Sequence, residues 1–394
     1  MTNYEAIDKE YVLHTYKRNY VNFKRGVNAT LYDDKAGEYI DFGSGIGVVS
    51  CGHGNPRIAK VIAEQAAKIT HISNLFLIEP QAKLAKRLVE LSGFDMRVFF
   101  ANSGAEANEG AIKIARKYGE VDGEVKRYKI ITLENSFHGR TITALKATGQ
   151  EKMHSYFGPF PDGFAHAKSV DEVLGMIDAH TVAVMVELVQ GEGGVTPLDK
   201  AKVQALAKEL KKRDILLIID EVQTGIYRTG ELLTSQVYEI EPDIVTLAKG
   251  LGGGVPIGAI MTRLKDIFAP GDHGSTFGGN YLVTAAALEV LDILSEAYDT
   301  GDLAQTQIYF HESLAKMVTE FPAVFEREMG VGMMRALELK DADLLPKILE
   351  KCFEKGLIVL RAGTNRVRFL PPLTITKEEI DHGFDKFRRA LASL

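Results

Sequence analysis

Through the middle of the chain, short apolar runs of strand length alternate with stretches whose apolar positions recur at helical spacing. The runs at residues 97–101, 129–133, 182–189, 215–220, 243–247 and 257–261 predict strands, and the amphipathic stretches at 105–118 and 200–212 predict helices between them. The strands are apolar on both faces rather than alternating. That pattern, interleaved with helices, predicts a mostly parallel sheet covered on both sides. The polar residues that interrupt the pattern fall just after the carboxyl ends of these strands, where open α/β sheets take their ligands.

The two ends of the chain read differently. Residues 30–32 and 38–42 flank the turn sequence Asp33-Asp34-Lys35-Ala36-Gly37 and predict a hairpin. From about residue 300 the pattern predicts a helix at 303–321, a strand at 333–339, a helix at 341–354, strands at 358–360 and 366–369, and a last helix from Lys377. We expect a large α/β domain at 46–298 and a smaller α+β domain at 299–394, with the segment 1–45 joining the smaller one.

Composition excludes more than it assigns. The chain has 394 residues, 45% hydrophobic and 25% charged, with a net charge of −6. These values fit a soluble globular protein and leave no basic face for a nucleic acid. Two cysteines, Cys51 and Cys352, do not make a disulfide framework and point to a reducing compartment. The N-terminal stretch lacks a basic segment followed by an apolar one, and no apolar run approaches membrane-spanning length, so a cytoplasmic location without membrane contact is expected. No P-loop, G-x-G-x-x-G fingerprint, G-x-S-x-G elbow or H-E-x-x-H pair occurs, and the ten histidines lack the spacing of metal ligands. No metal is expected.

What stands at the predicted strand ends is more informative. Lys249 follows an apolar run and precedes a glycine-rich turn. An amine there is either snorkelling to solvent or desolvated enough to condense with an aldehyde. Asp220 ends the run at 215–219, either capping a turn or facing a cationic ligand nitrogen, with Gln223 three residues on. Asn102-Ser103-Gly104-Ala105 opens a helix, which makes a plain N-cap or an anion cup. Phe137 is a core residue or a stacking surface, and Arg140 beside it suits a carboxylate. The loop 274–279 is a second glycine-rich, hydroxyl-bearing segment suited to phosphate. Taken together, these groups match pyridoxal 5′-phosphate, which carries an aldehyde, a pyridine nitrogen and a phosphate.

Seven motifs in order extend that match along nearly the whole chain: NSGAEANE (102–109), SFHGRT (136–141), VQGEGGV (189–195), DEVQTG (220–225), LAKGLGGG (247–254), STFGGN (275–280) and RFLPP (368–372). In these the sequence resembles the class III, ornithine/4-aminobutyrate type, aminotransferases of fold type I. The resemblance implies a large domain with a mostly parallel sheet, a smaller α+β domain, and an obligate homodimer with shared active sites. It implies that Lys249 carries the cofactor, Asp220 pairs with the pyridine nitrogen and Gln223 with the ring hydroxyl. It assigns Glu221 and Val222 to the cofactor-binding segment, Ser103, Gly104 and Ala105 to the phosphate, and Phe137 to the ring face. Thr276 would reach the phosphate, and Ser275 the substrate, from the neighbouring subunit. Arg140 would bind the substrate α-carboxylate, and Glu192 would pair with Arg368 until a dicarboxylate displaces it. Ile46 and the LAKGLGGGVPIGA stretch look like the acetylornithine branch, in which N2-acetylornithine gives its terminal amine to 2-oxoglutarate during arginine biosynthesis. The alternatives are 4-aminobutyrate, ornithine or succinylornithine as donor. Leu188, Tyr227 and Tyr281 depart from the usual family residues.

Overall fold

The computed structural model describes residues 3–121 and 124–394. The N-terminal part forms β1 (Phe23–Val27), β2 (Thr30–Asp33) and β3 (Glu38–Asp41), an antiparallel meander. The turn between β2 and β3 is closed by the Asp33 carboxylate, which accepts the backbone N–H groups of Lys35 and Gly37 at 2.8 and 2.6 Å. The sequence reading found β2 and β3 but not β1, whose FKRGV pattern is broken by a register shift between Phe23 and Arg25.

The central sheet holds β4 (Arg97–Ala101), β5 (Lys129–Leu133), β6 (Phe164–Ala167), β7 (Thr181–Val186), β8 (Leu216–Asp220), β9 (Ile244–Leu247) and β10 (Gly258–Thr262) in the order β4-β10-β9-β8-β7-β5-β6. The pairs among β9, β8, β7, β5 and β6 are parallel, and β10 runs antiparallel to both its neighbours. Alternate residues of one strand feed two cores. Leu216 and Ile218 pack with Ala107, Ala111 and Ile114 of the helix Gly104–Tyr118, while Leu217 and Ile219 pack with Val203, Leu206 and Leu210 of the helix Lys200–Lys212. Burial on both faces explains why these strands read as continuous apolar runs. Edge strand β6, with its half-buried FAHA sequence, lacks that signature and went unpredicted.

The C-terminal part places β11 (Phe325–Val331), β12 (Met334–Leu339), β14 (Leu360–Ala362) and β15 (Arg366–Phe369) in the order β11-β12-β15-β14. β13 (Leu357–Ile358) leaves this group and pairs in parallel with β3, Leu357 opposite Ile40. The stretch expected as one strand at 358–360 therefore divides between two sheets. The helix Lys377–Leu391 starts at a capping box of Thr376 and Glu379, and the Glu379 carboxylate also accepts from Asn28, Ala29 and Thr30. Phe42 is fully buried against Phe310, Phe369 and Phe384, with ring centroids 5.2, 6.3 and 5.4 Å away. Its carbonyl accepts from Leu370, and Ser44 donates to the Leu370 carbonyl. The N-terminal segment and the strand bearing Arg368 are thereby fastened together. No helix among the described residues is long and apolar enough to cross a membrane.

Candidate active site

Five strands end on one edge of the central sheet, and the segment that follows each contributes to one cavity of about 450 Å³. After β4 come Asn102, Ser103, Gly104 and Ala105, after β5 Phe137 to Arg140, after β7 Glu187, at the end of β8 Asp220 with Val222 and Gln223, and after β9 Ala248 and Lys249. Val48 and residues 254–257 complete the wall.

Asp220 is 3% exposed. Its Oδ2 accepts from Asn108 Nδ2 at 2.8 Å and lies 2.8 Å from His138 Nδ1, and its Oδ1 accepts the Val222 backbone N–H at 3.0 Å. A carboxylate this deep needs such donors to remain charged. Lys249 lies in a short turn at φ +36°, an uncommon conformation for a residue with a side chain and of the kind found at functional sites. Burial lowers the pKa of its ammonium. The carboxylates of Glu192, Asp220 and Glu187 oppose that fall and the Arg368 guanidinium adds to it, with a net value below the ordinary range.

The anion cup is the start of the helix Gly104–Tyr118. Ser103 is its N-cap, its hydroxyl accepting from Glu106 N at 3.2 Å, and the first backbone N–H groups of the helix face the cavity wall. Gly104 is required here because a Cβ would stand 2.7 Å from a Val222 methyl. Val222 and Phe137 offer two apolar surfaces to the cavity, and the Arg140 guanidinium lies 5.5 Å from the Phe137 ring, exposed at the mouth.

Arg368 approaches from β15. Its Nη1 donates to Glu192 Oε1 at 2.7 Å and to Gln223 Oε1 at 3.3 Å. Burial works to raise the Glu192 pKa, but Arg368, with Lys249 and Gln223, holds it below the usual carboxylate range. Gly191 leaves room for Gln223, since a Cβ there would come 2.1 Å from its Oε1. Glu187 is 5% exposed and accepts the N–H groups of Phe137 at 2.9 Å and Gly191 at 3.3 Å, tying two walls together. Its pKa is raised to about 7, chiefly by burial, with His138 opposing and Asp220 adding to the rise.

Not every expected residue faces the cavity. Glu221 is corrected: its carboxylate is turned into the protein, where it accepts from Thr224, Thr234 and Ser235. Neighbours on an extended chain point to opposite sides, so the cavity-facing Asp220 sends Glu221 away from the cavity. Glu192 and Arg368 lie behind Gln223 rather than on the cavity wall, and Ser275 and Thr276 line no part of it within one chain. Ser275 Oγ is bonded to Asn102 and Gly278, and Thr276 is exposed. Of the departures, Leu188 is core, Tyr227 bonds Ser295, and Tyr281 bonds the Leu77 carbonyl. Sequence reasoning missed Asn108 as a partner of Asp220. Its signal was an amide among the small apolar residues on the buried face of a helix. Among the described residues no cluster of His, Cys, Asp or Glu is arranged to hold a metal ion.

The cavity offers pyridoxal phosphate a counterpart for each of its groups: helix N–H groups for the phosphate, two apolar faces for the ring, a bonded carboxylate, and an amine of lowered pKa. The arrangement, on this sheet topology, defines a pyridoxal-phosphate-dependent transferase of fold type I. The chain belongs to the class III aminotransferases, whose family model, Aminotransferase class-III, matches residues 11–391. An acetylornithine aminotransferase of Wolinella succinogenes is 61% identical over 391 residues, covering 99% of this chain and 100% of that protein. Among solved structures, an ornithine aminotransferase from Toxoplasma gondii is similar with a TM-score of 0.91 at 33% identity, over 99% of this chain and 94% of that one. An N-acetylornithine aminotransferase from Stenotrophomonas maltophilia has a TM-score of 0.83 at 34% identity, over 98% of each chain.

The Glu187 environment has a consequence for stability. Because its folded pKa, about 7, lies above the 4.5 of a free glutamate, its protonation favours the folded state. That contribution is complete below the unfolded value and is lost as pH rises through the folded one. Between these two values, rising pH should cost the wild type stability relative to Glu187→Gln, as read from urea unfolding. Parallel curves over that interval would contradict the assignment.

Proposed function

We propose that this protein transfers the terminal amino group of N2-acetylornithine to 2-oxoglutarate, giving N-acetylglutamate 5-semialdehyde and glutamate, in the arginine-forming metabolism of the cytoplasm. The observation that carries this choice of donor is the end-to-end 61% identity to the W. succinogenes acetylornithine aminotransferase. The solved relatives above include an enzyme named for ornithine and one named for acetylornithine, so they support the class more than the donor. Ile46, on the segment leading to Val48 in the cavity wall, supplies no polar side-chain group to a free α-amine, which favours an acylated one.

Bound pyridoxal phosphate supplies an electron sink that stabilises negative charge on the carbon bearing the substrate's amine. The residues divide the remaining work. Lys249 is the residue to carry the cofactor. Its lowered pKa favours a neutral Nζ able to take a proton from that carbon and return one. Asp220, with its donors on Oδ2 and Oδ1, would keep the ring nitrogen protonated, and Gln223 would meet the ring hydroxyl. Ser103, Gly104 and Ala105 take the phosphate, with Thr276 of the partner subunit, and Phe137 and Val222 enclose the ring. Arg140 at the mouth takes the donor's α-carboxylate, with Ser275 of the partner subunit near the substrate. Arg368 takes the second carboxylate of 2-oxoglutarate once Glu192 lets go, so one site serves both a monocarboxylate donor and a dicarboxylate acceptor. In this reading the chain divides at 45/46 and 298/299, and Arg368 reaches the site from the C-terminal portion.

The same reading makes the protein a homodimer. Leu75, Phe76, Leu77 and Phe277 are 87, 65, 84 and 59% exposed. Asn74 bonds the carbonyls of Ser275 and Gly278, which sets the apolar 75–77 segment beside the loop carrying Thr276. Apolar surface of this size, next to two residues that line no part of their own chain's cavity, suits a second copy. Sedimentation velocity should return twice the chain mass of 43.4 kDa, and a monomer would remove the shared-site part of the reading.

The donor is tested by the visible absorption of the loaded enzyme without any keto acid. N2-Acetylornithine should collapse the band at lower concentration than ornithine, 4-aminobutyrate or succinylornithine. A stronger response to one of those would make it the donor instead. Arg368→Ala should raise the KM for 2-oxoglutarate and glutamate by the ~2–5 kcal/mol of a desolvated charge pair while sparing the donor half-reaction. Arg140→Ala should weaken the donor and the acceptor half-reactions alike. Damage by Arg368→Ala to the donor half-reaction as large as to the acceptor half would reject this division.

A further inference from the structure

Asn108 stands on the buried face of the helix Gly104–Tyr118, between Ala107 and Ala111. It is 1% exposed. Its Nδ2 donates twice, to Asp220 Oδ2 at 2.8 Å and to the His138 carbonyl at 2.6 Å. Both partners only accept. Turning the amide over would set its oxygen against a carboxylate and a carbonyl, so its orientation is determined. Asn108 Oδ1 is consequently buried with no partner, a cost that packing does not explain. His138 Nδ1 shares Asp220 Oδ2, which leaves Oδ1, with only the Val222 N–H, as the oxygen with capacity to spare.

We propose that Asn108 is a positioning residue for transamination: it locks the Asp220 carboxylate in one orientation and thereby sets how firmly Asp220 holds the proton on the cofactor's ring nitrogen. The inference rests on the reading of Asp220 given above. The titratable groups around Asp220 are His138 from the segment after β5, Glu187 from the end of β7 and Lys249 from the turn after β9. Asn108 differs from all three in kind. An amide offers the same donors at every pH, so its contribution persists while its neighbours titrate. An aspartate at 108 would replace two donors with a second carboxylate beside the first and push the pair toward protonation.

The test uses loaded wild type, Asn108→Ala, Asn108→Asp and Asp220→Asn. Two readouts are followed across the acid and neutral range: the pH titration of the cofactor's visible band, and the rate of the donor half-reaction. Asn108→Ala should slow the half-reaction by about 10- to 100-fold, the size of one hydrogen bond to a charged group, with half-saturation by donor little changed. Its acid limb and band titration should both move to higher pH by about one unit, and Asn108→Asp should move them further. A variant that merely loosened the fold would lower the melting temperature without moving either pH curve. If Asn108→Ala does not fold, the nearly isosteric Asn108→Asp carries the test. Curves superimposing on wild type in the folded Asn108 variants, with Asp220→Asn defective, overturn this inference alone. If Asp220→Asn also leaves both readouts unmoved, the reading of Asp220 falls and this inference with it.

Discussion

A carboxylate buried inside a protein dictates what surrounds it, and Asp220 is that group here. Buried at 3% exposure, it is bonded by a helix side chain, a histidine from the segment after β5 and a backbone N–H two residues on. Those donors come from elements that no local rule brings together. The packing of the helix Gly104–Tyr118 onto the sheet, the parallel order of β5, β7 and β8, and the turn after Asp220 together bring those donors to one carboxylate. The fold and the site are therefore one constraint: a sheet assembled in another order would leave Asp220 without these partners.

The second charged group, Lys249, is balanced differently. Burial pushes it toward the neutral amine, and the nearby carboxylates pull it back toward the ammonium. Glu192 contributes to that pull and is itself held by Arg368. In the proposed function a dicarboxylate on Arg368 would alter the field at Lys249, so that one ion pair would link the lysine's basicity to the choice of acceptor.

Much of the central sheet was legible because a strand buried on both faces announces itself as an unbroken apolar run. β4, β5 and β15 were predicted at the residues where they occur. The strands that went unread are those for which that logic fails. β6 is a half-buried edge strand, and β11 carries the charged sequence FEREMGV with its outer residues exposed. In the site, Lys249 and Asp220 were legible as polar residues terminating apolar runs, and Gln223 by its place three residues after Asp220. Glu221 was misread because a motif groups residues by sequence, whereas the backbone sends neighbours to opposite sides. The bonding of Asn108 to Asp220 was not legible. Its anomaly, an amide on an apolar helix face, is visible in sequence, but its partner lies at the end of β8, more than a hundred residues away.

The division of the chain between β13 and β14 bears on how the molecule is made. β3 finds its parallel partner in Leu357–Ile358, nearly the whole length of the chain away. On a ribosome the N-terminal strands emerge first, with Ile40 and Phe42 ready to be buried, and wait for a partner that is synthesised almost last. Nascent chains must carry that apolar edge unpaired through most of translation. The order of synthesis opposes the order of assembly, and this edge of β3 stays open until the C-terminal strands arrive.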